Sequence, residues 1–383
     1  MTTPESARGA ELERLQRLVG MLKQDASNPS LRQHFFDQAA RAGCSDLIVE
    51  TADSLLASSP RDPWLLFQKA NGEIGRREYR NALAVLSQVR ELGVADPAVD
   101  SNVGLCHFCL HEFDQARAPL ERCYAAGVRD AGTVRLLITT LHHLSSMEEA
   151  VKVAGENEAL ARGDAALAGA YALLYLDSND SGKAAQWAKV ALDLNPKSLD
   201  GRITQATLLT ARLETQKARS MLQDLIDDAP QLGRAWIGLG TLDLLAQDLA
   251  SAKQRLARGL ELMPSHVGSW HVLGWAQLLS GDLLAAETTF QRALEIDRNF
   301  AETHGALASL AAMRGENVKA RHLIEVALRL DPQCLSARFA ESVLSKNAGS
   351  PEQAQKILSA AVADVAGRDS SALSKLLTKG SRQ

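Results

Sequence analysis

The sequence predicts an all-α solenoid of helix–turn–helix units, and three observations predict it. An alanine recurs every 34 residues, at Ala82, Ala116, Ala150, Ala184, Ala218, Ala252, Ala286, Ala320 and Ala354. Five prolines, Pro60, Pro196, Pro230, Pro264 and Pro332, share one slot of the same period. Between them apolar residues recur at helical spacing, as at Trp236, Leu239 and Gly240, then Leu256 and Leu260. A fixed period of this length marks a two-helix unit that cannot bury its apolar face alone and stacks on copies of itself. A small residue fits where two helix backbones approach most closely, and alanine also has the best helix propensity.

The elements follow in order. Residues 1–28 hold a tail and an amphipathic helix (AELERLQRLVGMLKQ, 10–24) that is expected to cap the apolar end of the array. Placing the alanine at position 20 defines ten tandem units over 29–368: 29–62, 63–96, 97–130, 131–164, 165–198, 199–232, 233–266, 267–300, 301–334 and 335–368. Pro29, Pro63 and Pro97 stand at position 1, preceded by Asn28, Asp62 and Asp96, which reads as an N-cap followed by the first helical residue. The prolines at position 32 stop the second helix, since proline cannot continue the hydrogen-bond ladder. Gly281, Gly315 and Gly349 mark the tight turn within their units. Three units depart from the pattern. The first has Ile48 in the alanine slot, the fourth has Arg162 where others have proline, and in the third Pro119 falls inside the second helix and is expected to kink it. Residues 369–383 are expected to form a short C-terminal cap (SSALSKLL, 370–377) and a polar tail. No linker interrupts the array, which reads as one elongated domain.

Composition narrows the function. The chain of 383 residues is 46% hydrophobic and 23% charged, with a net charge of −4, which gives no whole-chain signature for nucleic acid or an anionic membrane. No apolar run reaches the ~18 residues of a transmembrane helix. Met1 to Gly9 show neither a basic start nor an apolar signal core. The five cysteines are odd in number and mostly at core-like positions, as expected of thiols in a reducing cytoplasm.

Two units carry a specific resemblance. The eighth reads Trp270-x2-Leu273-Gly274, then Ala286-x3-Phe290 and Ala293; the seventh reads Trp236-x2-Leu239-Gly240, Ala252-x3-Leu256 and Pro264. In these residues, and over about 29–368, the chain resembles the tetratricopeptide repeat family. The resemblance implies a right-handed superhelical solenoid whose concave groove is lined by first helices at positions 2, 5, 9, 12 and 13. In units two to nine those slots hold only five charged residues, Arg135, Asp177, Asp200, Arg234 and Glu302, fewer than the charged fraction of the whole chain would place there. A charge-poor groove points to an interface, because large exposed apolar patches are uncommon on monomers. The expected partner-binding residues are Trp64, Phe67, Asn71, Phe108, Arg135, His142, His143, Arg234, Ile237, His271, Trp275 and Leu279. Partial burial between neighbouring first helices is the competing reading. Trp275 is the sharpest candidate anchor, since tryptophan is enriched at hot spots.

Chemical motifs are sparse. CHFCLH (Cys106 to His111), with His142 and His143 one repeat later, lacks the second ligand pair that tetrahedral zinc requires, so packing is expected there and no metal. The position 5 and 9 pairs Phe67/Asn71, Ser101/Leu105, Arg135/Thr139 and Ile203/Thr207 place no lysine before the one asparagine, which argues against a carboxylate clamp. There is no P-loop, dinucleotide-binding glycine fingerprint, H-E-x-x-H or G-x-S-x-G.

A non-catalytic cytoplasmic scaffold or adaptor is therefore expected. It would hold a partner polypeptide in the groove, with no cofactor, no nucleic acid and no membrane insertion. By analogy with similar architectures it could assist assembly or secretion of a bacterial complex. A peptide- or ligand-responsive regulator and a self-associating homo-oligomer are the alternatives.

Overall fold

The computed structural model describes residues 4–366 of the chain, with side chains described over 9–361. The expected C-terminal cap at 370–377 and the tail beyond it lie outside the described residues. Among the described residues there are 22 α-helices and no strand. After α1 (Pro4–Gln24) the helices come in pairs: α2 (Pro29–Arg41) with α3 (Ser45–Leu56), α4 (Pro63–Gly75) with α5 (Tyr79–Glu91), and α6 (Pro97–Cys109) with α7 (Phe113–Ala125). The fourth repeat has α8 (Ala131–His143), then α9 (Met147–Glu156) and a single turn, α10 (Glu158–Ala161). There follow α11 (Ala165–Asp177) with α12 (Ser181–Leu194), α13 (Leu199–Ala211) with α14 (Thr215–Asp228), and α15 (Gly233–Leu245) with α16 (Leu249–Leu262). The last three pairs are α17 (Val267–Leu279) with α18 (Leu283–Ile296), α19 (Ala301–Met313) with α20 (Asn317–Leu330), and α21 (Leu335–Asn347) with α22 (Pro351–Ala366). The chain divides into two compact units, Met1–Ala170 and Tyr171–Gln383, each an all-α helical-repeat solenoid.

The sequence signals act as their chemistry dictates. Asn28, Asp62 and Asp96 accept hydrogen bonds from the backbone N–H groups of Leu31, Trp64 and Leu65, and Ala98, so that each proline at position 1 enters a capped helix. The alanines from Ala82 to Ala320 are fully buried, and Ala354 is 7% exposed. Beside the alanine row the helices of a pair press together. A Cβ on Gly274 would lie 2.3 Å from the Phe290 ring, so glycine alone lets α17 sit on α18. Burying a ring such as Phe290 stabilises by about 1.5–3 kcal/mol relative to exposure.

Two backbone features recur with the period. Position 15 takes a positive φ in all ten repeats; it is glycine in four of them and Arg77, His111, Ser145, Asn179, Leu213 or Gln247 in the other six. The turn between repeats is tied by position 4. Trp236 Nε1 donates to the carbonyl of Pro230 at 2.9 Å, and Trp270 Nε1 to that of Pro264 at 2.8 Å.

The irregular units have local causes. Where the fourth repeat lacks its proline, the second helix breaks at Asn157, whose buried amide donates to the Val153 carbonyl and to the Tyr124 hydroxyl, both at 2.8 Å. In the third repeat α7 runs through Pro119 as one helix, with the proline ring buried.

Candidate protein-binding surface

In the first unit the predicted residues stand on α4, α6 and α8. Trp64 and Phe67 are half-buried on the first turns of α4, and the Trp64 ring meets buried Phe36 edge to face at 5.3 Å. Together with Pro63, Val89, Val94, Asp96 and Val99 they line an open recess of about 210 Å³ where α4, the end of α5 and the start of α6 converge. Its walls are apolar apart from Asp96, which is occupied in capping α6. Asn71 accepts a hydrogen bond from Asn102 Nδ2 at 2.6 Å, so its carbonyl is engaged within the protein. Arg135 is half-buried on α8.

The remaining first-unit candidates gather where first helices end. Phe108 meets Phe113 edge to face at 5.6 Å, and His143 stacks on Phe113 at 4.1 Å with its neighbour His142 beside it. Phe113 joins them although sequence reasoning passed it over. Its signal was available, because it sits at position 17, the slot that Tyr79 fills one repeat earlier. Position 17 of one repeat meets position 13 of the next. Tyr79 lies beside Cys109, and Phe113 stacks on His143. Among the described residues no group of three or more His, Cys, Asp or Glu is placed to hold a metal ion. Burial pushes the Cys106 thiol up to about 12, so it stays protonated and packs as a small apolar residue.

In the second unit the corresponding positions are largely filled by the protein itself, which corrects four expectations. Trp275 is 1% exposed: its ring packs against Phe290 and Phe339, and its indole N–H donates to His271 Nε2 at 2.9 Å. It is a core residue here and is not presented to a partner. His271 is also buried, and burial lowers its imidazole to about 4, a neutral ring serving as acceptor. Ile237 points down onto α16, where its Cδ1 would stand 2.5 Å from a Cβ at Gly259. Arg234 forms a two-bond pair with Asp177, at 3.1 and 2.5 Å, so two groove charges consume one another. Leu279 remains 37% exposed at the end of α17.

The physical reason is the small face of α19. A Cβ on Gly305 would lie 2.4 Å from the backbone nitrogen of Ala337, so α19 and α21 approach backbone to backbone. Glu302 reinforces this approach by accepting from the backbone N–H groups of Leu335 and Ser336 at 2.8 and 3.0 Å, as a cap supplied from the previous repeat. Larger rings on either side then close over the gap.

Comparison with known proteins agrees with this architecture. A family profile described as "Tetratricopeptide repeat" matches residues 267–300. No curated protein matches the sequence. Among solved structures, a chain of the APC/C hetero-tetramer Cut9–Hcn1 is similar with a TM-score of 0.56 at 14% identity, over 92% of this chain and 82% of that chain. YrrB, described as a TPR protein with an unusual peptide-binding site, aligns with a TM-score of 0.35 at 19% identity, over 52% of this chain and all of its own. No helix among the described residues is long and apolar enough to cross a membrane. With ten helix pairs in one 34-residue frame and the eighth matching the family profile, the chain is similar to tetratricopeptide repeat proteins and has an all-α helical-repeat solenoid fold.

Proposed function

We propose that this protein is a non-catalytic interaction scaffold that holds a partner polypeptide on the first-helix face of its first unit. The observation that carries the reading is the recess at Trp64 and Phe67, an apolar opening of about 210 Å³ left unfilled by the chain's own side chains. A recess of that size accepts one large apolar side chain of a bound segment, which is how anchor residues dominate interfaces. The equivalent face of the second unit supports the assignment by contrast, since Trp275, Phe339 and the Asp177–Arg234 pair occupy it. The aromatic cluster of Phe108, Phe113 and His143 extends the surface along the first unit and offers faces for further contacts.

The test is site-specific photo-crosslinking in the native cell, with the photoreactive residue at Phe67 or, as control, at exposed Ala84 on α5. A discrete protein adduct at Phe67 and none at Ala84 supports the reading. Phe67→Ala should then weaken capture of that partner about tenfold or more while leaving the melting curve within a few degrees of wild type. Equal adducts at both sites, or full capture by Phe67→Ala, would overturn it.

A further inference from the structure

Arg135 stands apart from the protein's other shielded cations. Among the described residues the other half-buried Arg and Lys side chains each have a partner within the chain, as Arg32 has Asp62 at 3.0 Å, Arg117 has Glu149 at 2.7 Å and Arg202 has Asp228 at 2.6 Å. Arg135, half-buried on α8, has no ion pair, hydrogen bond or ring contact. The carboxylates around it are engaged elsewhere. α8 has none of its own. Asp130, which caps α8, accepts from the backbone N–H and the hydroxyl of Thr133 at 3.0 and 2.7 Å. Asp100 is the one acid on α6, the first helix that packs against α8, and it is held by Arg90 and Arg122. Shielding a guanidinium from water costs free energy that a partner ordinarily offsets. Here the chain supplies none, so the anion comes from outside it.

The place of Arg135 ties it to the recess. It occupies position 5 of the fourth repeat, and Phe67 occupies position 5 of the second. α6 packs against α4 on one side and α8 on the other. At up to about 10 Å per packed helix, the step from α4 to α8 is about 20 Å. Six residues of extended chain cover about the same distance. An even number of residues also returns the side chain to the same face. The position 5 and 9 residues of α6 between them, Ser101 and Leu105, carry no charge.

We propose that Arg135 takes a carboxylate side chain of the bound polypeptide, an Asp or Glu about six residues from the apolar anchor that enters the recess. This inference rests on the reading of the first-unit face as a partner-binding surface and names the partner's chemistry. A carboxylate matches the guanidinium fork with two parallel hydrogen bonds. Thr139, one turn on along the same face of α8, adds a hydroxyl donor. A lone guanidinium fits one carboxylate and does not fit a nucleic acid, whose run of phosphates is bound by several cations together.

The test uses the full chain and fluorescein-labelled nine-residue peptides with phenylalanine at peptide position 2, serine and threonine after it, and a C-terminal amide. Peptide position 8 holds glutamate, glutamine or lysine, and a fourth peptide has glutamine there with a free C-terminal carboxylate. Anisotropy titration should show the glutamate peptide binding at least tenfold tighter than its glutamine counterpart. Arg135→Glu should reverse the order, so that the lysine peptide binds tighter than the glutamate one. Its thermal melt should stay within a few degrees of wild type, because no internal bond is lost. Phe67→Ala should weaken the glutamate and glutamine peptides alike. Equal wild-type affinity for those two peptides, or an unchanged preference in Arg135→Glu, overturns this inference and leaves the recess standing. Tighter binding of the free-carboxylate peptide than of the glutamate one assigns Arg135 to a chain terminus and also overturns it. Phe67→Ala without effect on any peptide, or no saturation up to about 1 mM, overturns the reading of the recess as well.

Discussion

Trp275 and Phe339 meet edge to face at 5.5 Å over α19, although they stand on first helices two repeats apart. The contact exists because α19 between them offers glycine, alanine and serine to its neighbours, with Gly305, Ala308 and Ser309 all buried. Truncation should therefore act on folding. Trp275→Ala is expected to destabilise the second unit by about 3–5 kcal/mol, the range for emptying an aromatic site in a core. Chemical denaturation monitored by circular dichroism measures it. A loss under ~1 kcal/mol would mean that the ring is not in the core.

His271 makes the same region sensitive to acid. Its Nε2 accepts from Trp275 Nε1 at 2.9 Å and lies 3.9 Å from Glu302, and burial lowers the folded imidazole to about 4 despite that carboxylate. In the unfolded chain the ring titrates near its ordinary 6.5. Between those values the unfolded state binds a proton that the folded state refuses, so stability is fully present above about pH 6.5 and falls as pH drops toward 4. The slope approaches about 1.4 kcal/mol per pH unit for one proton. His271→Gln keeps an acceptor for the indole and removes the titration, so the variant's denaturation midpoint should respond less to pH across this window. Parallel wild-type and variant profiles would remove His271 as the cause.

The period was legible because a fixed slot demands a fixed size: a side chain larger than Ala218 would meet neighbouring helices, and all nine predicted alanines are buried. Helix ends were legible because Asp62 and Pro63 can do little else well than start a helix. The groove was less legible. Whether position 9 faces solvent depends on the next two repeats, and the size of residue 305 and the reach of Phe339 decide the fate of Trp275 jointly. A slot-by-slot reading treats each first helix alone and misses such pairs. It likewise misses the Asp177–Arg234 bond, whose members are 57 residues apart.

The turn at position 15 offers a stabilising change. Leu213 holds φ of 60° and is 37% exposed, a conformation that costs a leucine about 1–2 kcal/mol and a glycine little. Leu213→Gly should raise stability by up to about 1 kcal/mol, the gain being reduced by the greater freedom of glycine in the unfolded chain. Gly281→Ala, at φ of 80°, should lower it by a similar amount. Urea midpoints of both variants check the pair, and a destabilised Leu213→Gly with unchanged Gly281→Ala would contradict the strain argument.

Asp243 is a buried carboxylate on α15, held by Arg219 from α14 at 2.8 Å and Arg255 from α16 at 2.6 Å. Losing it leaves two cations that are about one third exposed and can reach water, so the full penalty for an orphaned buried charge does not apply. Asp243→Asn is expected to cost about 2 kcal/mol, below the 3–5 of a fully buried pair. Urea denaturation of the variant, alone and with Arg255→Met, tests this. If the second change restores nothing and the single change is silent, the triad contributes no stability.

The pair between Asp177 and Arg234 crosses α13 and joins the fifth repeat to the seventh. Both side chains are about one fifth exposed, so the pair is shielded more than a surface bridge and less than a buried one. Two parallel N–H donors on one carboxylate give better geometry than a single contact. A double-mutant cycle with Arg234→Met and Asp177→Asn isolates the coupling even though each residue touches other groups. The expected coupling is about 1 kcal/mol, above the median for exposed pairs. Partial burial also limits screening, so more than half of it should survive about 0.5 M sodium chloride. A coupling within ~0.3 kcal/mol of zero at low salt would show that the two charges are merely neighbours. The first-helix face of the second unit would then be free to open over α13, and the proposed confinement of first-helix-face binding to the first unit would lose one of its supports.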